Sequence, residues 1–299
     1  MNDNQLSKQV SLDDIKIAIC YFMKEEHYIK HQCCLPRQVG ADVTKVEFGI
    51  QQDNVNENIS YKNPFYCEFT GIYWLWKNVD SKYKGVMHHR RFLSLDKEPV
   101  SLMIKRLGFR VLNKLYNCYK YHPASTNKKI LCNSNEEFYK RANKFLDKLP
   151  DLLSCYEIVT IEPFHYSYRK VGQAFADVVN RPLLKCLREL FQTEYSEYSL
   201  YFEKTLKSEK LYYGNISVMS SVLFNQYCSF VFGMLDKLEK KLVYDDLFIQ
   251  PLKEKSLSRV FGYIGELLTN TFIIYSKEQG TKILELPLLF NAKADHSRS

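Results

Sequence analysis

The stretch 63–91, NPFYCEFTGIYWLWKNVDSKYKGVMHHRR, constrains the fold more than any other part of this 299-residue chain. Pro64 follows Asn63 at a helix start, where the missing proline N–H costs no hydrogen bond. Apolar side chains then recur at helical spacing and predict a helix with one apolar face: Phe65, Phe69, Ile72, Tyr73 and Trp76. A turn-like segment, 78–81, separates this helix from 83–87, which is typical of a buried strand. The stretch therefore predicts a helix–turn–strand unit of an α/β sheet.

Charged residues occupy both parts of this unit. Glu68 lies on or beside the apolar helix face, and a buried carboxylate requires a partner or a chemical role. The strand ends in a cationic cluster, and ligands of open α/β sheets bind outside the carboxyl ends of strands. Such a cluster suits a phosphate or diphosphate, and it comprises His88, His89, Arg90 and Arg91. On spacing alone the alternative stays open: an exposed glutamate and a solvated basic loop.

The same residues resemble a family of bacterial capsule, exopolysaccharide and lipopolysaccharide glycosyltransferases, long catalogued as a domain of unknown function. The family pattern is Asn-Pro, Tyr-Cys-Glu, Thr-Gly, Tyr-Trp-x-Trp-Lys-Asn and His-Tyr-Arg-Arg. It stands here at 63–64, 66–68, 70–71, 73–78 and 88–91, with His89 in place of the tyrosine. The resemblance extends over roughly residues 15–289. It implies a Rossmann-like α/β domain of the GT-A glycosyltransferase type with a helical C-terminal portion.

The activity that the resemblance implies is transfer of a sugar from a nucleotide-diphospho-sugar, such as a UDP-hexose or UDP-galactofuranose. The acceptor would be a growing capsule, exopolysaccharide or lipopolysaccharide saccharide, expected to be lipid-linked. Two alternatives stay open. One is a non-catalytic partner in a polysaccharide assembly complex, since Leu267 stands where the family usually carries an arginine. The other is a phosphate-handling transferase that uses the basic cluster on its substrate.

Further binding residues follow from the resemblance. Gln38 and Gly40 belong to a Gln-Val-Gly-Ala segment and are expected at the donor, unless this segment is only a surface loop. Arg259 is expected to join the basic cluster at the diphosphate. Three residues are expected to contact the sugar or the acceptor: Asn63, Tyr66 and Asn215. The Asn215 amide can donate and accept hydrogen bonds with sugar hydroxyls, although a turn residue beside Gly214 is the plainer interpretation.

The chemistry needs a stabilised diphosphate leaving group and an activated acceptor hydroxyl. No Asp-x-Asp metal motif occurs, and neither does a Gly-x-Gly-x-x-Gly or a Walker A sequence. We therefore expect cationic side chains, His88 among them, to stabilise the leaving group, with no metal site predicted and a magnesium or manganese ion left open. The predicted catalytic carboxylates are Glu68 and Glu266. Glu162, at the end of a predicted strand, is a further candidate base or acceptor contact, or else a solvated loop residue.

Composition narrows the class of protein. With 45% hydrophobic residues the chain can bury a large core, and no run of about 18 apolar residues occurs. The N-terminus lacks the pattern of a signal peptide, which predicts a cytoplasmic protein. The nine cysteines show no metal-ligand spacing and are interpreted as small buried hydrophobes. A net charge of +8 indicates anionic partners, but no nucleic-acid-binding module is recognisable, so nucleic acid is not predicted as a partner.

The predicted organisation is one glycosyltransferase domain over 13–290, with disordered tails at 1–12 and 291–299. Its first strand covers 15–22 and places 21–24 at the ligand edge of the sheet. Later elements include a helix that is capped by Asn133 or Ser134 and ends at Pro150, strands at 156–161, 212–219 and 283–287, and a long helix over 221–242.

A basic insertion at 98–127 contains a predicted amphipathic helix, 102–121. Its apolar residues recur every three or four positions, and the run carries five lysines and arginines at 105–120 but no acidic residue. One interpretation is an ordinary packed helix with a cationic outer face. The other is docking on the anionic inner face of the plasma membrane, where a lipid-linked acceptor would lie.

Overall fold

The computed structural model describes residues 9–117, 127–178, 181–244 and 259–292. The strands are β1 (Ile15–Tyr21), β2 (Cys34–Gln38), β3 (Gln51–Gln52), β4 (Tyr83–His88), β5 (Arg91–Leu93), β6 (Lys129–Cys132), β7 (Ile158–Ile161), β8 (Phe164–His165), β9 (Lys210–Leu211), β10 (Ser217–Ser220), β11 (Ile283–Leu286) and β12 (Leu288–Asn291). The helices are α1 (Asn63–Tyr66), α2 (Phe69–Asn78), α3 (Val100–Leu115), α4 (Asn135–Cys155), α5 (Val171–Val178), α6 (Arg181–Glu194), α7 (Ser196–Lys207), α8 (Ser221–Tyr244) and α9 (Val260–Glu278).

Seven strands form the central path of the sheet, in the order β11-β7-β10-β4-β1-β2-β3. The pairs β1–β2, β1–β4, β2–β3 and β7–β11 are parallel, whereas β10 is antiparallel to both β4 and β7. The strands β1, β4 and β7 therefore end at one edge of the sheet, and β10 begins there. The chain has a mixed α/β fold with a mostly parallel central sheet, as the sequence predicts.

The central strand β1 is buried on both faces, which explains its continuous apolar sequence. Ala18 and Cys20 point into a core that contains α2 and the helices α5 to α9. Ile17 and Ile19 point into a second core, which contains α4. Helices thus cover both faces of the sheet. The side where the parallel strands end is where ligands of such sheets bind.

Helix α4 starts where the sequence predicts but ends later. The Ser134 side chain caps it by accepting a hydrogen bond from the Glu137 N–H at 3.1 Å. The predicted end at Pro150 is wrong, because the helix continues to Cys155 with the proline inside it. Leu149 and Leu153, on either side of Pro150, are buried in the core, and this packing outweighs the hydrogen bond lost at the proline.

Two other predicted boundaries change for local reasons. The predicted strand 212–219 is a strand only from Ser217, because Gly214 and Asn215 take positive φ angles of 80° and 53° in a short 3-10 turn. Asn291, where a tail is predicted to begin, is the last residue of β12, and its side chain donates to Asn135 Oδ1 at 2.8 Å. Residues 1–8 and 293–299 of the predicted tails lie outside the described residues.

The predicted amphipathic helix is α3, which covers 100–115, while residues 118–126 of the insertion lie outside the described part of the chain. Asn113 is the one side chain that α3 buries. Its apolar side chains are exposed, by 63% at Ile104, 57% at Val111 and 75% at Leu115. No helix within the described ranges is both long enough and apolar enough to cross a bilayer.

Candidate active site

A cleft with a volume of about 150 Å³ opens at the carboxyl ends of β1 and β4. Its lining residues lie just after β1, at the end of β4 and in the hairpin that follows it, at the break between α1 and α2, and at the start of α9. Its walls are formed by Phe22, Cys67, Glu68, His88, His89, Arg90, Arg91 and Arg259. Six of these wall residues were predicted as site residues. They are up to 191 positions apart in the sequence, from Glu68 to Arg259.

The His-His-Arg-Arg segment is a tight hairpin. His88 ends β4 and pairs with Arg91 at the start of β5, so His89 and Arg90 form the turn between the two strands. A further backbone bond, from the His89 N–H to the Cys20 carbonyl at 3.2 Å, ties the turn to the end of β1. The hairpin therefore projects its side chains at the ligand edge of the sheet.

His88 is a buried, neutral imidazole. Its Nε2–H donates to the Gly214 carbonyl at 2.6 Å, which attaches the end of β4 to the turn before β10. Burial lowers its pKa, although Glu68 Oε1 lies 3.9 Å from Nε2 and opposes that effect. Because Nε2 carries the proton, Nδ1 is the unprotonated nitrogen.

His89 is also held neutral. Burial, with the neighbouring His88 and Arg90, lowers its pKa to about 3. Its Nδ1–H donates to the Cys20 carbonyl at 3.3 Å, and its Nε2 lies 3.7 Å from Glu25 Oε1. Burial raises the pKa of Glu25. The two histidines therefore add no positive charge at neutral pH, in contrast to the four-residue cationic cluster that the sequence predicts.

Arginines supply the positive charge of the cleft. Arg90 lies in the hairpin turn with 8% of its surface exposed. The Arg91 guanidinium lies over the Tyr213 ring, with Cζ 5.3 Å from the ring centroid. Arg259 precedes α9 and is exposed at the cleft. These side chains can bind a planar or tetrahedral anion through several charged hydrogen bonds.

A break in the helix places Glu68. The single helix predicted from Asn63 is wrong, because Cys67 adopts φ 52° and ψ −130° and separates α1 from α2. Asn63 supports this turn: its carbonyl accepts from the Cys67 N–H and its Nδ2 donates to the Cys67 carbonyl, both at 2.8 Å. A positive φ at a non-glycine residue costs about 1–3 kcal/mol and is concentrated at functional sites. The break moves Glu68 out of the helical repeat and into the cleft wall.

A buried hydrogen-bond chain holds Glu68 in place. Glu68 Oε1 accepts from Asn215 Nδ2 at 2.8 Å, and Asn215 Oδ1 accepts from the Thr269 hydroxyl at 2.6 Å. The Tyr227 hydroxyl lies 2.9 Å from the same Thr269 oxygen. The Asn215 amide therefore binds protein groups on both sides and lies behind Glu68, while its predicted contact with a sugar stays a prediction.

Glu266 is a second, more deeply enclosed carboxyl group. Its Oε1 accepts from the Gly214 N–H at 3.1 Å. Burial and the nearby Glu68 raise its pKa to about 8. Glu266 is therefore mainly protonated at neutral pH. A carboxyl group whose pKa is raised in this way beside a second carboxylate is typical of functional sites.

Four predicted contacts lie away from the cleft walls. Gln38 is buried and uses its whole amide on the backbone, donating to Val46 at 2.8 Å and accepting from Phe48 at 2.9 Å. The Gly40 N–H donates to Asp53 Oδ2 at 2.9 Å. Tyr66 donates its hydroxyl proton to Glu239 at 3.0 Å. Asn63, described above, holds the Cys67 turn, so all four residues support the backbone around the cleft.

Glu162 lies in a different place. It ends β7 and its carboxylate pairs with Lys128 Nζ at 2.6 Å. It lines a second cavity of about 210 Å³, together with Arg106, Arg110 and His165. The structure therefore separates this carboxylate from Glu68 and Glu266.

The sequence motif does not identify several residues of the site. Phe22 is 37% exposed at the cleft and lies parallel to His88, with ring centroids 6.2 Å apart. It falls within 21–24, which the sequence places at the ligand edge. Tyr213, Thr269 and Tyr227 act through contacts that only the fold creates, and their residue types alone do not distinguish them from core residues.

The model of a family described as a domain of unknown function, DUF4422, matches residues 16–278. The chain belongs to this family. The match includes every residue of the cleft wall, from Phe22 to Arg259. Leu267, where a family arginine was expected, is fully buried in the core beside Glu266 and does not line the cleft.

A solved apo structure of WbbM, a bifunctional glycosyltransferase, shares the fold of this DUF4422 chain. The TM-score is 0.75 with 23% sequence identity over 93% of this chain. The chain spans 45% of the length of that protein, a little under half. No match was found among curated proteins. The likeness establishes the fold.

Proposed function

We propose that this chain is a glycosyltransferase that uses a nucleotide-diphospho-sugar as donor and contributes to a capsule, exopolysaccharide or lipopolysaccharide. The cleft at the carboxyl ends of β1 and β4 carries the proposal, since three arginines lie there beside Glu68. Membership of the DUF4422 family and a fold shared with a bifunctional glycosyltransferase support the same reaction class. A UDP-hexose or UDP-galactofuranose is the donor we would test first.

The arginines would bind the donor diphosphate. Negative charge grows on the leaving diphosphate as its bond to the sugar breaks, and preorganised cations stabilise that charge. Arg90 and Arg91 come from the hairpin and Arg259 comes from the start of α9, so they approach from different elements. Phe22, partly exposed at the end of β1, is the aromatic surface that we assign to the nucleoside.

Glu68 is the carboxylate that we assign to the acceptor hydroxyl, as its general base. Glu266 holds a proton at neutral pH because its pKa is raised to about 8, so it is suited to donate rather than accept. His88, neutral and bonded to Gly214, would orient Glu68 and the start of β10 rather than carry charge. The reaction needs the residues named here whether or not a divalent cation assists.

Ligand-induced thermal stabilisation tests the proposal. A nucleoside diphosphate or its sugar ester should raise the melting temperature of the wild type by mass action, and the shift should survive EDTA if no metal is required. The shift should disappear in Arg91→Ala and persist in Arg188→Ala, a matched arginine that pairs with Glu203 in another cavity.

Other outcomes favour the alternatives. Absence of a shift with every donor, in a protein that is folded and monodisperse, would overturn the transferase and favour a non-catalytic partner of an assembly complex. A shift that requires added magnesium, with nucleotide cleavage but no sugar transfer, would favour a phosphate-handling transferase.

We also propose that α3 attaches the enzyme to an anionic phospholipid bilayer. Large apolar side chains on one face of α3 are exposed within the described residues: Val100, Met103, Ile104, Leu107, Val111 and Leu115. Lys105, Arg110 and Lys114 lie on the same helix, which carries no acidic residue. A basic helix with an uncovered apolar face matches the charge and polarity of an anionic membrane surface, where a lipid-linked acceptor would be found.

Vesicle co-sedimentation tests this attachment. The wild type should bind vesicles of phosphatidylglycerol and phosphatidylcholine and not vesicles of phosphatidylcholine alone. Leu107→Glu should reduce binding, whereas Val222→Glu, at an apolar position on α8 that is more exposed (79% against 46% at Leu107), should not. Equal binding by both variants would contradict the role of α3.

A further inference from the structure

A cluster of soft ligands lies at the edge of the sheet opposite the cleft. His31, Cys33 and Cys34 place a ring nitrogen and two sulfur atoms within 4.8 Å of one another. Cys34 begins β2, whereas Gln38 ends it at the cleft edge, so the five residues of this strand separate the cluster from the candidate active site. At about 3.3 Å per residue, the separation is roughly 13 Å or more.

The Asp147 carboxylate orients the histidine. Its Oδ1 lies 3.1 Å from His31 Nε2, and a carboxylate can only accept, so Nε2 carries the proton. The unprotonated Nδ1 then points at Cys33 Sγ, 3.1 Å away. A carboxylate behind a histidine is the usual support of a metal-binding imidazole, because it fixes the tautomer and the ring orientation.

The two thiols are brought together by a turn. The Cys34 N–H donates to the His31 carbonyl at 2.9 Å, which folds 31–34 back on itself. Adjacent residues of an extended strand would point to opposite faces, so this turn is what lets both sulfur atoms reach one point. Cys33 is fully buried and Cys34 is 7% exposed. Cys228, also buried, has no such neighbours among the described residues and serves as the comparison.

We propose that His31, Cys33 and Cys34 bind a soft divalent cation of the zinc class, with Asp147 behind the histidine. Zinc bonds of about 2.3 Å to sulfur and about 2.0 Å to nitrogen place the ligand atoms of a tetrahedral site roughly 3.5–3.8 Å apart. The widest spacing in the cluster, at most 4.8 Å, would shorten by up to about 1 Å, and the 3.1 Å spacing between His31 Nδ1 and Cys33 Sγ would lengthen slightly. Two thiol protons leave to solvent as two sulfur–metal bonds form, and the histidine binds through its Nδ1 lone pair. Water completes the tetrahedron.

The cation would have a structural role. The cluster ends the connection 22–33 between β1 and β2, and Asp147 belongs to α4. The same connection begins at Phe22 in the cleft wall and carries Glu25, which faces His89. Metal binding would therefore attach one end of this connection to α4 and reduce the freedom of the segment that borders the cleft. This proposal is independent of the glycosyltransferase assignment, since it concerns a separate site.

Cobalt substitution and metal analysis test the site on the full chain. Reduced protein, stripped with a chelator, should bind about one equivalent of Co²⁺ and show the strong near-ultraviolet absorption of cobalt–thiolate bonds. Zn²⁺ should bleach that absorption and raise the melting temperature, while releasing protons to the buffer. Cys34→Ser should lose the absorption, whereas Cys228→Ser should keep it.

Asp147→Asn provides a milder variant in case Cys34→Ser folds poorly. It keeps the shape of the side chain on the surface of α4 and should weaken metal affinity by about 10–100-fold. Absorption that persists in Cys34→Ser, or metal that binds without thiolate absorption, would overturn the proposal. So would a mass decrease of two hydrogens without bound metal, which would identify a redox dithiol instead. Donor binding by the stripped protein separates failure here from failure of the proposed function.

Discussion

Two groups of polar residues that the family resemblance singles out have different roles in the structure. The hairpin 88–91 projects cationic side chains into the cleft, whereas Gln38, Gly40, Asn63 and Tyr66 spend their polar groups on the protein itself. The hairpin places two guanidinium groups in the wall of the cleft. The other four residues are the buried scaffold that sets the backbone. The two groups therefore differ in their hydrogen-bond partners. Polar side chains that bond to other protein groups support the fold, whereas those that face the cleft can bind a ligand.

The largest effect is expected at the cleft. Arg91→Ala should lower kcat by about 10²–10³-fold, because one preorganised cation at the leaving group is lost. Its melting temperature should change little, since the guanidinium of Arg91 contacts mainly the Tyr213 ring. Release of nucleoside diphosphate measures the rate. Wild-type turnover in this variant would show that Arg91 does not act on the leaving group and, like the four scaffold residues, serves the structure alone.

The sharpest test of the scaffold is Gly40→Ala. Gly40 has φ 73°, and an added Cβ would lie 2.5 Å from the Asn63 side chain that supports the Cys67 turn. We expect a loss of roughly 2–4 kcal/mol in the free energy of unfolding, measured by urea denaturation.

Gly49→Ala is the matched control for that substitution. Gly49 has a similar φ of 76° with no atom within 4 Å of an added Cβ. It should therefore cost only the backbone term, about 1 kcal/mol. Equal losses at both positions would show that contact with Asn63 is unimportant.

Thr269→Val examines a buried residue that connects the protein interior to Glu68 in the cleft wall. The substitution keeps the shape but removes the hydroxyl that donates to Asn215 and so holds Glu68. We expect kcat to fall by about 10-fold with little change in KM, because Glu68 is displaced while the arginines stay in place. A fall in stability with unchanged kcat would place the chain of hydrogen bonds in the scaffold alone. Thr271→Val, at another buried threonine of α9, is the control.

The smallest effect, and the most specific, is the pH dependence caused by Glu266. A carboxyl group whose pKa rises from 4.5 to about 8 on folding stabilises the native state fully below pH 4.5, and this contribution is lost as the pH rises through 8. Glu266→Gln cannot ionise. The melting temperature of the wild type should therefore fall relative to the variant between about pH 5 and 8 and run parallel to it above that range. Parallel curves throughout would show that Glu266 is ionised in the native state.

Local sequence rules predicted the elements that rest on local chemistry. The strand at 15–22, the cap at Ser134 and the helix from Ser221 were found because apolar runs, capping side chains and helical spacing act within a few residues. The end of α4 was missed at Pro150, because tertiary burial of Leu149 and Leu153 outweighs the proline. The helix break at Cys67 was missed for a related reason. The Asn63 amide donates to the Cys67 carbonyl and the Thr70 hydroxyl, and Gly40, distant in sequence, leaves the space that the Asn63 side chain needs.

The candidate site divides in the same way. By itself the sequence determined the fold class, the ligand edge of the sheet and the basic segment that lies there, because strand direction and residue type determine these. Only the tertiary structure decided the charges. Burial keeps both histidines neutral and Glu266 protonated, and it depends on groups distant in sequence, such as Gly214 and Glu68. A pKa follows from the local dielectric and the neighbouring charges, and both come into existence only when the chain has folded.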